Sequence, residues 1–243
     1  MLPIQHRDDE YLDFLYWVVN AVVPFEYSLC WVDYSRGILF CDGIFGEDNP
    51  KVTYIRFPQD SFVRVDHSRA RKGLYRSLCA AEGGRRLVFV DIARHDGTGF
   101  GPMAPGTGFT MTFRTLKVVT QDVGSGRTMQ WEWIEDAVVT SGQLWDANAP
   151  ARLPRDTVMQ PLLSVDVPDV MHLVLFDWVV GRVSLVAVDS SDKQVMGPVV
   201  TYIKGEDDYL STDDDDADLI KAKPGFFIHF LPSEFTKFLN LNR

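Results

Sequence analysis

The sequence has 243 residues, is 46% hydrophobic and 24% charged, and carries a formal net charge of −10 at pH 7. This length and composition describe one or two folded domains and exclude a disordered chain. The apolar stretch 14–25 is too short to span a bilayer and follows acids instead of a basic segment, so no membrane span or signal peptide is expected. Three cysteines without metal-site spacing favour an intracellular protein, cytoplasmic or nuclear, without a disulfide framework.

In chain order, the sequence predicts many short strands and few helices. Valine (28 residues) outnumbers leucine (21) and alanine (13), a balance that favours pleated sheets. Only the N-terminal stretch and SEFTKFLNL, where Ser233 is a candidate N-cap, have a helical pattern. Alternation and turn residues predict strands at 28–33, 37–42, 52–57, 74–80, 85–91, 108–118, 128–134, 161–165, 170–176, 183–188, 194–203 and 226–231.

The stretch VDYSRGILFCDGIF (32–45) predicts a hairpin and not a reactive site. With a turn across residues 34–37, we expect Asp33 to pair with Ile38 and Cys30 to lie opposite Cys41. Asp33 would accept turn amides, and Gly37 would adopt a positive φ. Both faces of the hairpin are then apolar, so each must be covered by another part of the protein.

Val-Asp recurs at the end of three predicted strands, at Asp33, Asp91 and Asp189. Two further hairpins are predicted, with turns at 82–84 and 190–193. We expect the three aspartates to end strands and shape turns, and not to meet around a metal or a small molecule.

Repeated hairpins predict a mostly β fold, either an incomplete β-propeller-like arrangement or a sandwich-like stack of sheets, with a short C-terminal helix. The predicted organisation is an N-terminal extension (1–24), a β-rich domain (25–205), an acidic loop (206–225) and a final strand and helix (226–243). Eight acids and no base lie in 206–218, so the acidity of the chain is largely local.

Several segments together resemble a known family. The segments follow one another in this order: LCWVDYSRGILFCD, VTYIRFP, LYRSLCAAEGGRRLVFVDI, FTMTFRTL, WEWIEDA and LPRDTVMQPLLSVDVPDVMHLVL. The resemblance covers roughly residues 25 to 205. The order of the segments is similar to that of the plant domain of unknown function 1618, a large family in the grasses. The resemblance implies a β-rich, propeller-like module without established catalytic residues.

The metal-site and phosphate-site motifs are incomplete. A calcium loop starting at Asp214 would place Leu219 where glycine belongs and Gly225 where a bidentate glutamate is needed. GTGFGPMAPGTG (97–108) lacks the lysine of a phosphate-binding loop, and no predicted helix follows it. No metal ligand or cofactor-binding residue is therefore assigned.

Catalytic motifs are also incomplete. Ser125 lies in a turn and not in GxSxG, and the five histidines occur singly, without metal or triad spacing. His172 and His229 interrupt apolar strands and are candidates for buried groups. His95, next to Asp96 at the start of the glycine-rich loop, is the best enzymatic candidate by position. No catalytic residue is assigned.

The sequence therefore favours a non-enzymatic module for protein–protein interaction, scaffold- or adaptor-like, with an unknown protein partner. The alternatives are a hydrolase that uses the glycine-rich loop and His95, and nucleic-acid binding through the basic segment 64–76, which is less favoured. A homo-oligomer is expected if the sheet stack is incomplete. Aromatic side chains are the expected binding hot spots, with five candidates: Trp17, Trp131, Trp133, Trp145 and Trp178.

Overall fold

The structure is a computed structural model, and it confirms a mostly β fold with three sheets and short helices. No helix within the described part of the chain is long and apolar enough to cross a membrane. The described residues are 4–43, 50–58, 73–98, 101–123, 126–149, 153–155, 158–164, 167, 169–178 and 182–201.

The first sheet contains four antiparallel strands in chain order and one added parallel strand. These are β2 (Ala21–Phe25), β3 (Ser28–Asp33), β4 (Gly37–Asp42) and β5 (Lys51–Arg56), with β1 (Ile4–Gln5) paired to the free side of β5. Each strand pairs with the next because short turns return the chain to the same sheet.

The second and third sheets repeat this four-stranded meander. The second contains β6 (Arg76–Ala81), β7 (Arg86–Arg94), β8 (Phe109–Val123) and β9 (Gly126–Thr140). The third contains β10 (Val158–Leu163), β11 (Val170–Asp177), β12 (Arg182–Asp189) and β13 (Val195–Thr201). A 3₁₀ turn (Asp8–Glu10) and two helices, α1 (Tyr11–Phe14) and α2 (Ser141–Ala147), complete the described elements.

The second sheet lies between the other two, and strand alternation gives it two buried faces. Phe89 belongs to the core shared with the first sheet, where it packs with Phe57 and Leu116. Val90, the next residue along β7, belongs to the core shared with the third sheet, and Leu173 of β11 is part of the same core. Because successive side chains point to opposite faces, an apolar strand such as β7 must be covered on both sides. The sandwich-like stacking expected from the sequence is thus confirmed.

Each strand predicted within the described chain is present, several with longer or shifted ends, but the strands β1 and β2 and helix α2 were not predicted. The N-terminal stretch is helical only over α1, and it continues into β2, which the prediction missed. Pro24 is tolerated there because β2 is the terminal strand of its sheet. Helix α2 was also missed, although Thr140 and Gln143 form a capping box that the T-x-x-Q spacing indicates. The strand at 226–231, the C-terminal helix with Ser233 and the acidic loop lie outside the described residues, and the domain boundaries stay predictions.

The first hairpin forms, but the predicted register is wrong by one residue. Asp33 pairs with Gly37 and Cys30 lies opposite Phe40, so Cys30 and Cys41 do not face each other. The reason is a three-residue turn, in which the Arg36 amide donates to the Asp33 carbonyl at 2.8 Å. The turns predicted at 82–84 and 190–193 also connect paired strands.

Gly37 is required by a close backbone approach and not by its φ angle. The φ angle of Gly37 lies outside the left-handed region, so the predicted positive φ is wrong. A Cβ atom on Gly37 would lie 2.3 Å from the Ile55 carbonyl oxygen of the neighbouring strand. The strand β5 therefore packs where a side chain would otherwise stand.

We expect Gly37→Ala to destabilise the protein by about 1–3 kcal/mol, because backbone atoms of β5 must move to admit the methyl group. Gly142→Ala is the matched control, since its Cβ would meet nothing closer than 3.8 Å. Because alanine favours a helix more than glycine does, Gly142→Ala in helix α2 should raise the free energy of unfolding by up to about 1 kcal/mol. Urea unfolding measures both free energies, and an unchanged Gly37→Ala variant would contradict the close approach.

Candidate functional site

The three Val-Asp aspartates do not form one site. Asp33 and Asp189 end strands as predicted, but Asp91 lies inside β7, which continues to Arg94. Asp189 accepts hydrogen bonds from the amide and hydroxyl of Ser191 in its own turn. In the described part of the chain, no group of three or more His, Cys, Asp or Glu side chains is placed to hold a metal ion.

Asp33 is a buried structural carboxylate. Its Oδ1 accepts a hydrogen bond from the Ser35 amide at 2.8 Å, as expected for a turn. Its Oδ2 accepts from Arg36 Nη1 at 2.9 Å and from the Val18 amide at 3.0 Å. The same side chain therefore closes the hairpin and fixes the end of the N-terminal segment.

Asp91 forms a buried ion pair within the second sheet with Arg76, which also contacts the turn between β3 and β4 of the first sheet. Arg76 Nε donates to Asp91 Oδ1 at 2.6 Å, and Arg76 Nη1 donates to the Tyr34 carbonyl at 2.6 Å. The Tyr34 hydroxyl in turn accepts from the Leu78 amide at 3.4 Å. Burial, and secondarily the nearby Cys79, raise the pKa of the Tyr34 phenol well above its ordinary value. It therefore stays protonated and neutral at physiological pH.

The basic segment 64–76 is only partly described, since residues 59–72 lie outside the described part. Its last member, Arg76, is buried, with a side chain only 6% exposed. Because its guanidinium is committed to Asp91 and Tyr34, Arg76 is not available to contact a phosphate.

His95 does not form a pair with Asp96. The exposed His95 ring lies with Nε2 at 2.8 Å from Thr110 Oγ1. The Asp96 carboxylate instead accepts two hydrogen bonds from Arg94, at 3.0 and 2.6 Å. In the described residues, His95 has no carboxylate partner that would orient its ring as in a catalytic triad.

Arg94 and Asp96 hold the start of the glycine-rich loop. Arg94 also donates to the carbonyls of Gly101 at 2.7 Å and Pro102 at 3.0 Å, while Asp96 accepts from the Ala104 amide at 3.0 Å. Although burial acts to raise it, these hydrogen bonds, chiefly that from Arg94, hold the pKa of Asp96 well below its usual range. The pair has a structural role in shaping the loop.

This depressed pKa predicts a pH dependence of stability. Because the Asp96 pKa is lower in the folded than in the unfolded state, its contribution is fully present above the unfolded pKa and is lost as the pH falls below about 5. We expect the urea midpoint of the wild type to fall more steeply between pH 5 and pH 2 than that of Asp96→Asn. If the urea midpoints of the two proteins fell equally with pH, the low pKa of Asp96 in the folded protein would be contradicted.

The remaining candidates do not gather into a reactive site. His172 is exposed on β11, so the expectation of a buried group is wrong for it. All three cysteines are free and buried. Burial raises the pKa of the Cys30 thiol to about 12 and also raises the pKa of Cys79, which disfavours the reactive thiolate. His229, Ser125 and the acidic run 213–218 lie outside the described residues.

The tryptophans proposed as hot spots contribute mainly to packing. Trp133 lies between the first and second sheets, 5.6 Å from Phe57 and 5.7 Å from Phe89 in ring-centroid distance. Trp145 packs edge-on against the buried ring of Phe109. Each of the five candidate tryptophans is half-buried.

Exposed apolar side chains concentrate instead near the N-terminus. Thirteen large hydrophobic residues are exposed in the described part of the chain, and eight of them lie between residues 11 and 27. The exposed fraction reaches 69% at Leu12 and 78% at Tyr27. We call this set the N-terminal apolar surface: Tyr11, Leu12, Leu15, Tyr16, Val18, Val19, Val22 and Tyr27.

The segment that carries this surface is fixed to the first sheet by its other side. Arg56 on β5 donates to Asp13 at 3.0 Å and to Asp9 at 3.1 Å, and the Tyr54 hydroxyl donates to Asp13 at 2.9 Å. The ring of Phe14 packs 5.1 Å from that of Tyr54. Because these contacts use the inward side chains, the apolar residues around them remain on the outside.

The fold defines a mostly β protein of three stacked meander sheets with an apolar N-terminal surface. The chain belongs to the family described as "Protein of unknown function (DUF1618)", whose model matches residues 31–172, more than half of the 243 residues. The match runs from β3 into β11, and the N-terminal apolar surface precedes it. No curated protein and no solved structure matches the chain.

Proposed function

We propose that this protein is a non-enzymatic protein–protein interaction module, scaffold- or adaptor-like, that binds its partner through the N-terminal apolar surface. The observation that carries the proposal is the concentration of exposed large apolar side chains between residues 11 and 27. Isolated exposed apolar residues are ordinary, but a cluster of them is typical of an interaction site.

The composition of the surface fits protein recognition. Tyr11, Tyr16 and Tyr27 are each at least 60% exposed. Tyrosine is enriched in binding hot spots because it offers a large ring and a polar tip. Leu12 and Leu15, which adjoin Tyr11 and Tyr16 in the sequence, add exposed aliphatic side chains.

The groups that would perform chemistry support the same proposal because most of them have structural partners. Asp33, Asp91 and Asp96 are engaged by arginines, and Cys30 has a raised pKa. The competing hydrolase hypothesis predicts an activity that is lost in His95→Ala. Our proposal predicts no hydrolysis of a substrate panel by either protein.

We further propose a propeller-like relation between the sheets and an intracellular location. Three successive four-stranded meanders, with β6 close to both β2 and β10, have the order of propeller blades, and closed propellers take four to eight. The three free thiols support a reducing compartment. The sequence resemblance supports an origin in the grasses.

The interaction proposal is tested by comparing three full-length baits in the same cell extract. They are the wild type, Leu12→Ser/Leu15→Ser, and the control Val118→Ser/Val138→Ser, which removes two exposed valines elsewhere. We expect one reproducible set of proteins on the wild type and the control that is lost from the N-terminal variant. Equal capture by all three baits, or none by any, would contradict the proposal.

A further inference from the structure

The segment with the N-terminal apolar surface is also acidic. Residues 4–27 contain five acids and one base, Arg7, so their net charge is −4. Arg56, which contacts two of these acids, reduces the local charge to −3. A surface that combines apolar side chains with one sign of charge selects among partners by electrostatics.

Three of these carboxylates face solvent. Asp8 and Glu26 are exposed, and the Asp9 side chain is 66% exposed although it contacts Arg56. Glu10 is instead buried and accepts the Arg7 amide at 2.8 Å. These exposed charges are neighbours of exposed apolar residues in the sequence, since Asp8 and Asp9 precede Tyr11 and Glu26 precedes Tyr27. An interface with apolar contacts and a polar rim has this combination of side chains.

This charge disfavours two other occupants of the surface. A second copy would bring the same acidic segment to the interface, since a two-fold symmetric contact uses one patch on both subunits. An anionic bilayer would be repelled in the same way. A partner with basic side chains around an apolar contact is attracted instead.

We propose that the N-terminal apolar surface binds a protein segment whose apolar side chains are flanked by lysine or arginine. This inference rests on the proposed function and specifies the chemistry of its partner. The apolar residues provide the contact area, and Asp8, Asp9 and Glu26 provide the preference for positive charge. Such binding weakens as salt screens the exposed charges.

The test uses the full chain and three synthetic amphipathic peptides with one leucine pattern. Their polar positions are all lysine, all glutamate or all serine, and calorimetry measures their affinities at low and high salt. Three proteins are compared: the wild type, Leu12→Ser/Leu15→Ser and Asp8→Asn/Glu26→Gln. The acidic run at 206–218 is unchanged in all three, so it serves as an internal control for nonspecific attraction.

We expect the lysine peptide to bind the wild type at least tenfold more tightly than the glutamate peptide. Leu12→Ser/Leu15→Ser should weaken that binding at least tenfold, and Asp8→Asn/Glu26→Gln should reduce its salt dependence. Equal affinity of the wild type and both variants for the lysine peptide would overturn the inference. Tighter binding of the glutamate peptide than of the lysine peptide would also overturn it. The same holds for a dimer of the chain, or for its binding to vesicles, if Leu12→Ser/Leu15→Ser abolishes that dimer or that binding.

The two proposals fail separately. If the lysine peptide shows no preference while the extract proteins are still lost from Leu12→Ser/Leu15→Ser, the interaction function stands and the basic partner is wrong. If the extract proteins are retained by that variant, the interaction function fails together with the inference.

Discussion

Arg76→Met is expected to lower the free energy of unfolding by about 3–5 kcal/mol, one of the two largest effects that we predict for a single substitution. The side chains of Arg76 and Asp91 are only 6% and 7% exposed, and their atoms approach to 2.6 Å. Methionine keeps most of the side-chain length but removes the guanidinium that pairs with the buried Asp91 carboxylate. It also removes the donor to the Tyr34 carbonyl, which links the first and second sheets.

The double variant Arg76→Met/Asp91→Leu separates this effect from lost packing. With both charges removed, we expect most of the stability to return, leaving a deficit of up to about 2 kcal/mol for the Tyr34 carbonyl. Glu82→Gln is the control, because the Glu82–Arg86 pair is partly exposed and should contribute less than about 1 kcal/mol. A double variant as unstable as Arg76→Met would contradict the buried-pair account.

Phe89→Ala is expected to cost about 3–5 kcal/mol. The Phe89 side chain is fully buried, and its ring stacks on Phe57 of the first sheet at 4.0 Å with Trp133 beside it. Alanine would leave a cavity at the centre of the contact between the first and second sheets. Urea unfolding followed by tryptophan fluorescence measures the loss.

A graded pair of variants tests whether volume at this position is what matters. Phe89→Leu should cost less than Phe89→Ala, because leucine fills part of the space left by the ring. Val138→Ala, at an exposed position on β9, should change the free energy by less than about 0.5 kcal/mol. Equal effects of Phe89→Ala and Val138→Ala would contradict the described core.

Alternation of apolar residues predicted the strands of the second and third sheets well, because burial on one or both faces leaves a strong pattern. Phe109, Met111 and Phe113 alternate with polar residues along β8, and all three are buried. The hairpin register was missed because it depends on the Asp33 and Arg36 hydrogen bonds that set the turn length. Nothing in the local pattern distinguishes that turn from one that is a residue longer.

The polar residues were harder to place, because their roles depend on contacts distant in sequence. Asp91 has the same Val-Asp context as Asp33, yet it lies inside a strand, where it pairs with Arg76, fifteen residues earlier. Likewise, the apolar character of residues 11–27 is plain from the sequence, but the outward orientation of Leu12 and Leu15 is not. It follows from the packing of Phe14 against Tyr54 on β5.

Hydroxyl-radical footprinting tests most directly whether the N-terminal apolar surface is the binding site. The full chain is labelled with and without the proteins that it captures from the cell extract. We predict that oxidation of Tyr11 and Tyr16 falls on binding, while Met196, which is 44% exposed on β13, is oxidised as before. Protection of Met196 with unchanged Tyr11 and Tyr16 would contradict the account.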